Sequence, residues 1–182
     1  MPVARLTRIT TRSGDAGQTG LADGQRLDKD SPRIQALGDI DELNATLGLV
    51  KVYCPDNEYT RLIAAIQQRL FDLGGELALP ESTMISIDQV RELEQQLDQI
   101  NAGLPVLKEF VLPGGNPAAA HAHLARAICR RAERSLWGLS HKESVNSESL
   151  KYLNRLSDLL FVLARALARQ SSTTEPTWNR ET

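Results

Sequence analysis

Four arginines and a glutamate share one short stretch of the chain, R-A-I-C-R-R-A-E-R at residues 126–134. At 100° per residue, Arg126, Arg130 and Glu133 point in nearly the same direction from a helix, and Arg134 lies beside them. Guanidinium groups are planar and bind phosphate oxygens two at a time, so this face could hold a phosphorylated ligand. A solvated helix face with pairs such as Arg130 and Glu133 has the same spacing. Helical spacing leaves both interpretations open.

A second candidate anion site is the glycine-rich segment T-R-S-G-D-A-G-Q-T-G-L at residues 11–21. Glycine recurs there at every third position, which lets the backbone turn sharply and approach a ligand closely. Backbone N–H groups and hydroxyls could then surround phosphate oxygens. The segment lacks the Gly-Lys-Ser/Thr of a Walker A loop, and no strand precedes it as in a dinucleotide fingerprint. A mobile surface loop is the alternative, but the flanking Arg12 and Lys29 favour anion binding.

Five segments with helical periodicity must position these residues. The predicted helices cover residues 32–53, 57–79, 88–102, 117–140 and 147–170. Their short connections predict an all-α fold, a five-helix up-and-down bundle with an irregular, Gly-rich N-terminal segment. We expect one domain over residues 1–182, made of an N-terminal segment (1–31), the helical bundle (32–170) and a polar tail (171–182). The tail is expected to be flexible, although Trp178 suggests that it can dock.

Several local features make this prediction specific. Asn116 and Pro117 should begin the fourth helix as N-cap and first helical residue. Gly74 and Gly75, inside the second helix, suggest that another helix approaches closely there. Phe110 is expected to be buried in a short extended piece. The core face predicted for the fourth helix consists of Leu124, Ala125, Ile128, Ala132, Leu136 and Leu139. The polar face predicted for the fifth helix consists of Asn154, Asp158, Phe161 and Arg165.

The composition is that of a soluble globular protein, because 41% of the 182 residues are hydrophobic and 24% are charged. The net charge of −2 gives no general attraction to nucleic acid or membranes, and we expect neither as a partner. No apolar run reaches the roughly 18 residues of a transmembrane helix. The first residues lack the apolar centre of a signal peptide. We expect Cys54 and Cys129 to be free thiols, and Cys129 to be buried. Because free thiols suit a reducing compartment, a cytoplasmic location is expected.

Three motifs in the same order resemble those of the PduO-type ATP:cob(I)alamin adenosyltransferases (corrinoid adenosyltransferases). They are the segment at residues 11–21, P-G-G-N-P-A-A-A-H-A-H-L-A-R-A-I-C-R-R-A-E-R at 113–134, and K-Y-L-N-R-L-S-D-L-L-F at 151–161. The resemblance covers nearly the whole chain. It implies transfer of the 5′-deoxyadenosyl group of ATP to cob(I)alamin, with release of triphosphate, by way of a four-coordinate cob(II)alamin. It also implies a homotrimer with active sites between subunits.

The resemblance further implies roles for individual residues. Those expected to bind ATP are Thr11, Arg12, Ser13, Gly14, Thr19, Gly20, Lys29, Arg130, Arg131, Ala132, Glu133, Arg134 and Asn154. Those expected in catalysis are Arg130, the main triphosphate contact, and Arg126, which should pair with Asp41 of the G-x-x-D-E-L-N match. Phe110 is expected to press against the lower face of the corrin ring, and Asp158 to support the cobalamin site. The chain departs from the family at Ala22-Asp23-Gly24, where Phe-Gly-Gly is frequent.

Mg²⁺ is the expected metal ion, held mainly by the ATP phosphates. A flavin-type reductase and a B12-dependent enzyme are the expected protein partners. One alternative is a carrier or sensor that binds adenosylcobalamin without turnover, and turnover with ATP separates the two. The other is a purely structural bundle whose polar faces are subunit contacts. The glycine-rich segment argues against this last reading, because assembly alone needs no phosphate-binding loop.

Overall fold

The computed structural model describes residues 10–55, 58–170 and 175–179, and helices dominate them. The five helices are α1 (Pro32–Tyr53), α2 (Glu58–Ala78), α3 (Ile87–Ala102), α4 (Pro117–Ser140) and α5 (Ser147–Arg169). The predicted all-α class and the five predicted helices are thus confirmed, with bounds that differ by a residue or two. The start predicted for the second helix, Asn57, lies outside the described residues.

Two of the predicted helix starts rest on side-chain caps. The Asn116 side chain accepts a hydrogen bond from the Ala119 N–H (2.9 Å), and Pro117 follows as the first helical residue. Asn146 does the same at α5, where its side chain accepts from the Glu148 N–H (3.0 Å). Ser31 precedes α1 at the N-cap position, but its side chain makes no capping hydrogen bond. There Pro32 alone sets the helical direction.

Helix α4 lies at the centre of the packing, with α1 on one side and α5 on the other. Helix α2 packs on α1, and α3 packs on α5. The predicted core face of α4 is fully buried except at Leu124, which is 50% exposed, so that assignment was wrong. Arg165 also departs from prediction, because it is buried rather than part of an open polar face. The second half of α5 is covered on nearly all sides, whereas its first half keeps Asn154 and Asp158 exposed.

The N-terminal segment contains a small hairpin that the sequence did not predict. Strands β1 (Gln18–Gly20) and β2 (Arg26–Asp28) pair antiparallel, with Thr19 opposite Leu27. Strands this short hold too few residues to show an alternating pattern. The Ala22 N–H donates to the Ala78 carbonyl (2.9 Å), so the hairpin is attached to the end of α2.

The two glycines of α2 face different neighbours. A Cβ added to Gly74 would lie 3.9 Å from Leu37 of α1, which agrees with a neighbouring helix. A Cβ added to Gly75 would lie 3.2 Å from the Met84 sulfur, in the connection before α3. The close approach at Gly75 is therefore to a loop side chain, not to a helix as predicted. Within the described ranges, none of the helices has the length and apolar composition needed to cross a membrane.

Candidate functional site

The arginine face of α4 is exposed at Arg130 and Arg134. Arg134 donates through Nη1 to the Arg130 carbonyl (2.9 Å), which holds its guanidinium along the helix surface. The Arg130 side chain has no hydrogen bond or ion pair with any residue that the structure describes. Its five N–H donors therefore point to solvent, where they can meet an anion.

Arg131 has a different environment, because carboxylates of α1 hold it. Its Nε donates to Asp39 Oδ1 (3.1 Å), and its Nη2 contacts Glu42. Asp39 is buried and also accepts hydrogen bonds from Ser135 and Gln35. Arg131 thus joins α4 to α1, and this contact uses donors that the predicted role in ATP binding would also need.

Two other predicted ATP ligands, Glu133 and Asn154, meet across the α4–α5 contact. Asn154 Nδ2 donates to Glu133 Oε1 (3.0 Å). Both residues line a cavity of about 270 Å³ together with Lys151 and Arg155, which add positive charge. Ala132 is fully buried in the core, so its side chain cannot contact a ligand. Asp158 is exposed and lies 3.6 Å from Arg155 in an ion pair.

The glycine-rich segment brings four of its predicted ligands, Thr11, Ser13, Gly14 and Lys29, close to one turn, whereas Thr19 and Gly20 lie in β1. The hydroxyls of Thr11 and Ser13 are 2.9 Å apart. A Cβ placed on Gly14 would lie 3.1 Å from Lys29 Nζ, so a side chain at this position would require the ammonium group to shift by a few tenths of an ångström. Arg12 adopts a φ of 60°, a left-handed conformation that is uncommon outside glycine. A turn of this shape next to an ammonium group suits an anionic ligand.

Arg26 also orders this turn, and sequence reasoning missed it. Its Nη2 donates to the Ser13 carbonyl (2.7 Å) and to the Gln18 carbonyl (3.3 Å). The residue lies in β2, directly opposite Gly20 of β1. Only the register of an unpredicted hairpin places it there, so no signal in the sequence could have indicated its role.

Phe110 lies on the surface, against the prediction that it is buried. Its side chain is 76% exposed and faces a cavity of about 520 Å³. The residues that line this cavity are Leu107, Lys108, Glu109, Phe110, Val111, Arg126 and Phe161. Two aromatic rings, an aliphatic rim and one guanidinium group are well suited to a large, flat, mostly apolar ligand.

Arg126 and Asp41 do not form a pair within the chain. Asp41 is exposed on α1 and has no hydrogen bond or ion pair among the described residues. The Arg126 guanidinium carbon lies 5.9 Å from the centre of the Phe161 ring, and its Nε is buried without a partner in the described part of the chain. The predicted pairing of Arg126 with Asp41 therefore does not form within one chain, and their roles in catalysis stay predictions.

His123 lies behind this cavity, with its ring centre 6.2 Å from that of Phe161. Burial lowers the pKa of His123, the charge of Arg126 lowers the pKa further, and Glu175 raises it in part. The ring is therefore neutral at pH 7. Burial also raises the pKa of the Cys129 and Cys54 thiols, so neither is a ready nucleophile. The burial predicted for Cys129 is confirmed.

Within residues 10–55, 58–170 and 175–179, no group of three or more His, Cys, Asp or Glu side chains could hold a metal ion. The protein side chains described therefore do not form a Mg²⁺ site of their own.

The comparisons with known proteins agree with one another. Residues 9–167 match the cobalamin adenosyltransferase family profile. The chain is 51% identical over 179 residues to a cobalamin adenosyltransferase of Cupriavidus metallidurans, covering 97% of each chain. It is 46% identical over 170 residues to a corrinoid adenosyltransferase of Mycobacterium tuberculosis, covering 88% of each.

A solved structure extends the comparison to three dimensions. A variant of the PduO-type ATP:corrinoid adenosyltransferase from Lactobacillus reuteri, complexed with cobalamin and ATP, superposes with a TM-score of 0.89 at 34% identity. The match covers 95% of this chain and 100% of the other. The arginine face, the glycine-rich turn and the aromatic cavity thus occur in a chain whose sequence and fold both match one family. The chain belongs to the cobalamin adenosyltransferase family.

Proposed function

We propose that this protein transfers the 5′-deoxyadenosyl group of ATP to cob(I)alamin and forms adenosylcobalamin and triphosphate. The observation that carries the proposal is the open cavity between Phe110 and Phe161, with Arg126 at its edge. A structural core would not leave the Phe110 ring 76% exposed, whereas a corrin ring would cover it. The likeness to an enzyme complexed with cobalamin and ATP supports this assignment.

The reaction needs no nucleophile from the protein. The cobalt(I) centre of the substrate supplies an electron pair that forms the carbon–cobalt bond, while the bond from C5′ to the triphosphate oxygen breaks. Triphosphate leaves with the electrons of that bond. The chain fits this scheme, because both cysteines are buried with raised thiol pKa values and His123 is buried and neutral. The protein has to orient the reactants and stabilise the leaving charge.

We assign stabilisation of that charge to the cationic groups that remain open to solvent. Arg130 has the freest guanidinium of the α4 face, and Arg134 lies beside it. Lys29 contributes from the glycine-rich turn. Fixed donors aimed at the departing phosphate oxygens lower the barrier, because they need no reorganisation during the reaction. Mg²⁺ would be held mainly by the phosphates, and no step here relies on a metal ion bound by protein side chains.

Phe110 is assigned to the lower face of the corrin ring. An aromatic ring placed there excludes the lower axial base and leaves four-coordinate cob(II)alamin, which is easier to reduce. The 76% exposure of this side chain supports the assignment, because the ring is available for contact with a substrate. Asp158 and Arg126 would help to hold the corrinoid at the same end of the site.

We further propose a homotrimer whose active sites form between neighbouring chains. The only hydrogen bond that ties the described hairpin to the bundle runs to α2, at Ala78, and not to the arginine face of α4. Asp41 is exposed and Arg126 Nε has no partner in the described part of the chain, as two halves of a pair between chains would be. In this arrangement, the glycine-rich segment of one chain and the α4 face of its neighbour enclose ATP.

The chemistry also indicates the partners. Cobalt must be reduced to cobalt(I), so an electron donor such as a flavin-type reductase is needed. The product is a cofactor, and a B12-dependent enzyme is its natural recipient. The need for an electron donor, a recipient enzyme and ATP supports the proposal of a cytoplasmic location.

An anaerobic assay with ATP, Mg²⁺ and chemically reduced cob(I)alamin tests the activity. We expect the visible absorbance to change to that of adenosylcobalamin, with one triphosphate released for each carbon–cobalt bond. Tight corrinoid binding without turnover would instead identify a carrier or sensor. Absence of binding would mean that the polar faces serve only subunit contacts.

A further inference from the structure

We infer that the buried ion pair between Arg165 and Glu175 positions Phe110 for its contact with the corrinoid. The pair does so by fixing the C-terminal segment 175–179 against the segment that carries Phe110. The inference rests on the proposed function, because it concerns how the lower face of the ring is closed. It assigns Arg165 and Glu175 as positioning residues, since both act through Phe110.

The ion pair is nearly fully buried, with side-chain exposures of 3% for Arg165 and 7% for Glu175. Arg165 Nε donates to Glu175 Oε1 (2.9 Å), and its Nη2 donates to Oε2 (3.2 Å). Such a two-point contact fixes both distance and orientation. Arg169 adds a third contact to Oε2 (3.4 Å). A buried carboxylate with this many donors has one favourable placement, and the backbone at Glu175 must follow it.

Arg165 also holds the beginning of the Phe110 segment. Its Nη2 donates to the Pro105 carbonyl (2.8 Å) in addition to Glu175. One guanidinium group of α5 therefore anchors two separate stretches, the loop after α3 and the C-terminal segment. The same two stretches also pair with each other further along the chain, next to Phe110.

The pairing surrounds Phe110 on both sides. The Leu112 N–H donates to the Pro176 carbonyl (2.8 Å), and the Trp178 N–H donates to the Phe110 carbonyl (2.8 Å). Val111 and Thr177 face each other as an antiparallel bridge. The Phe110 and Trp178 rings meet edge to face, with centres 6.3 Å apart. An exposed side chain on a loop gains a defined position only through such contacts, and here they come from the C-terminal segment.

Hydrogen exchange of the free protein tests the structural half of this inference. Glu175→Gln keeps the shape of the side chain but removes the charge that Arg165 binds. We expect faster exchange in peptides that contain Leu112 and Trp178, with the protection of α1 and α4 unchanged. Asp72→Asn, which breaks the exposed Arg69–Asp72 pair (3.0 Å), serves as a matched control and should leave both peptides unchanged. Unchanged exchange in Glu175→Gln would overturn the inference, whether or not the protein shows turnover.

The choice of corrinoid tests the functional half. Cob(II)alamin carries a tethered lower base that must be displaced before reduction, whereas cob(II)inamide has only a water ligand there, so cobalamin depends more strongly on a correctly placed Phe110. Starting from cob(II)alamin, with a reduced flavin as electron donor, we expect Glu175→Gln to lose at least about tenfold in kcat, within the range that misplacement of a site group causes. With cobinamide it should retain most of its kcat. The spectrum of bound cob(II)alamin should show a smaller four-coordinate fraction.

Equal losses with both corrinoids would contradict a role through Phe110, because a general defect in folding or ATP binding affects both. Phe110→Ala provides the reference, since it should show the same selective loss as Glu175→Gln. If the wild-type protein itself gave no turnover, the proposed function would fail, and the exchange experiment would still decide whether the ion pair fixes the segment.

Discussion

The arginines of α4 differ in what surrounds them, and those surroundings separate binding from structural roles. Arg131 contacts two carboxylates of α1, whereas Arg130 contacts none in the described chain. Arg126 lies against Phe161 with one N–H buried and unpartnered. Residue types alone could not separate these roles, because all three arginines belong to the same motif. Because their neighbours differ, substitution of Arg130 is predicted to lower activity, whereas substitution of Arg131 is predicted to lower stability.

Arg130→Ala should lower kcat/KM for ATP-dependent adenosylation by at least about 10²-fold, as expected for removal of a donor that stabilises developing charge. The unfolding midpoint should not change, because the side chain is exposed and has no partner among the described residues. The anaerobic assay and a urea titration measure the two effects. Turnover near that of the wild type would rule Arg130 out as the triphosphate contact.

Arg131→Ala should act mainly on stability. It leaves the buried Asp39 carboxylate without a charged donor, which costs about 1–3 kcal/mol of unfolding free energy. The partial exposure of Arg131 favours the lower end of that range. Urea denaturation measures the change, with Arg130→Ala as control. Unchanged stability together with lost turnover would mean that Arg131 serves the phosphates instead.

His123 should make stability depend on pH. Its folded-state pKa is lowered by burial and by Arg126, so below about pH 6.5 the unfolded chain takes up a proton that the folded protein resists. The free energy of unfolding should therefore fall as the pH drops below that value. In His123→Gln this fall should be smaller, whereas exposed His141→Gln should keep the wild-type dependence. Equal slopes for His123→Gln and wild type would contradict the assignment.

At the scale of elements, the helices were predictable and the segments between them were not. Asn116-Pro117 and Asn146 mark helix starts because capping chemistry is local. The exposure of Phe110 was not predictable from its residue type, since burial is the usual state of phenylalanine. The contact of Arg26 with the Ser13 carbonyl and the ion pair of Arg165 with Glu175 depend on how distant segments align in the folded chain. No short-range sequence pattern indicates that alignment.

Gly115 tests the junction that leads into α4. Its φ is +95°, and an added Cβ would lie 3.2 Å from the Ala168 Cβ on α5. Gly115→Ala should lower the free energy of unfolding by about 1–2 kcal/mol from the left-handed conformation alone. Gly138→Ala, within α4 and with nothing within 4 Å, should instead raise stability by about 0.5–1 kcal/mol. Denaturation curves showing the same sign for both variants would refute this reading.

At the scale of the whole molecule, the proposed site consists of two halves on different parts of the chain. The glycine-rich turn is tied to α2, whereas the arginine face lies on α4. Exposed apolar side chains at Leu49, Val52 and Leu124 lie on α1 and α4, the helices that carry Asp41 and Arg126. A second chain packed there would cover these side chains and complete the site. The central claim is therefore that ATP lies between two chains.

Mixed assemblies test this claim most directly. Lys29→Ala and Arg130→Ala should each be nearly inactive alone, because each lacks one half of every site. Coexpressed at equal levels, they should recover about a quarter of wild-type kcat, since random assembly leaves that share of interfaces with both halves intact. As a control, wild type mixed with the double variant should also give about a quarter. If both halves of the site lay in the same chain, the mixture of Lys29→Ala with Arg130→Ala would show no recovery. The mixture of wild type with the double variant would then give about half of the wild-type rate, and these two results together would contradict the central claim.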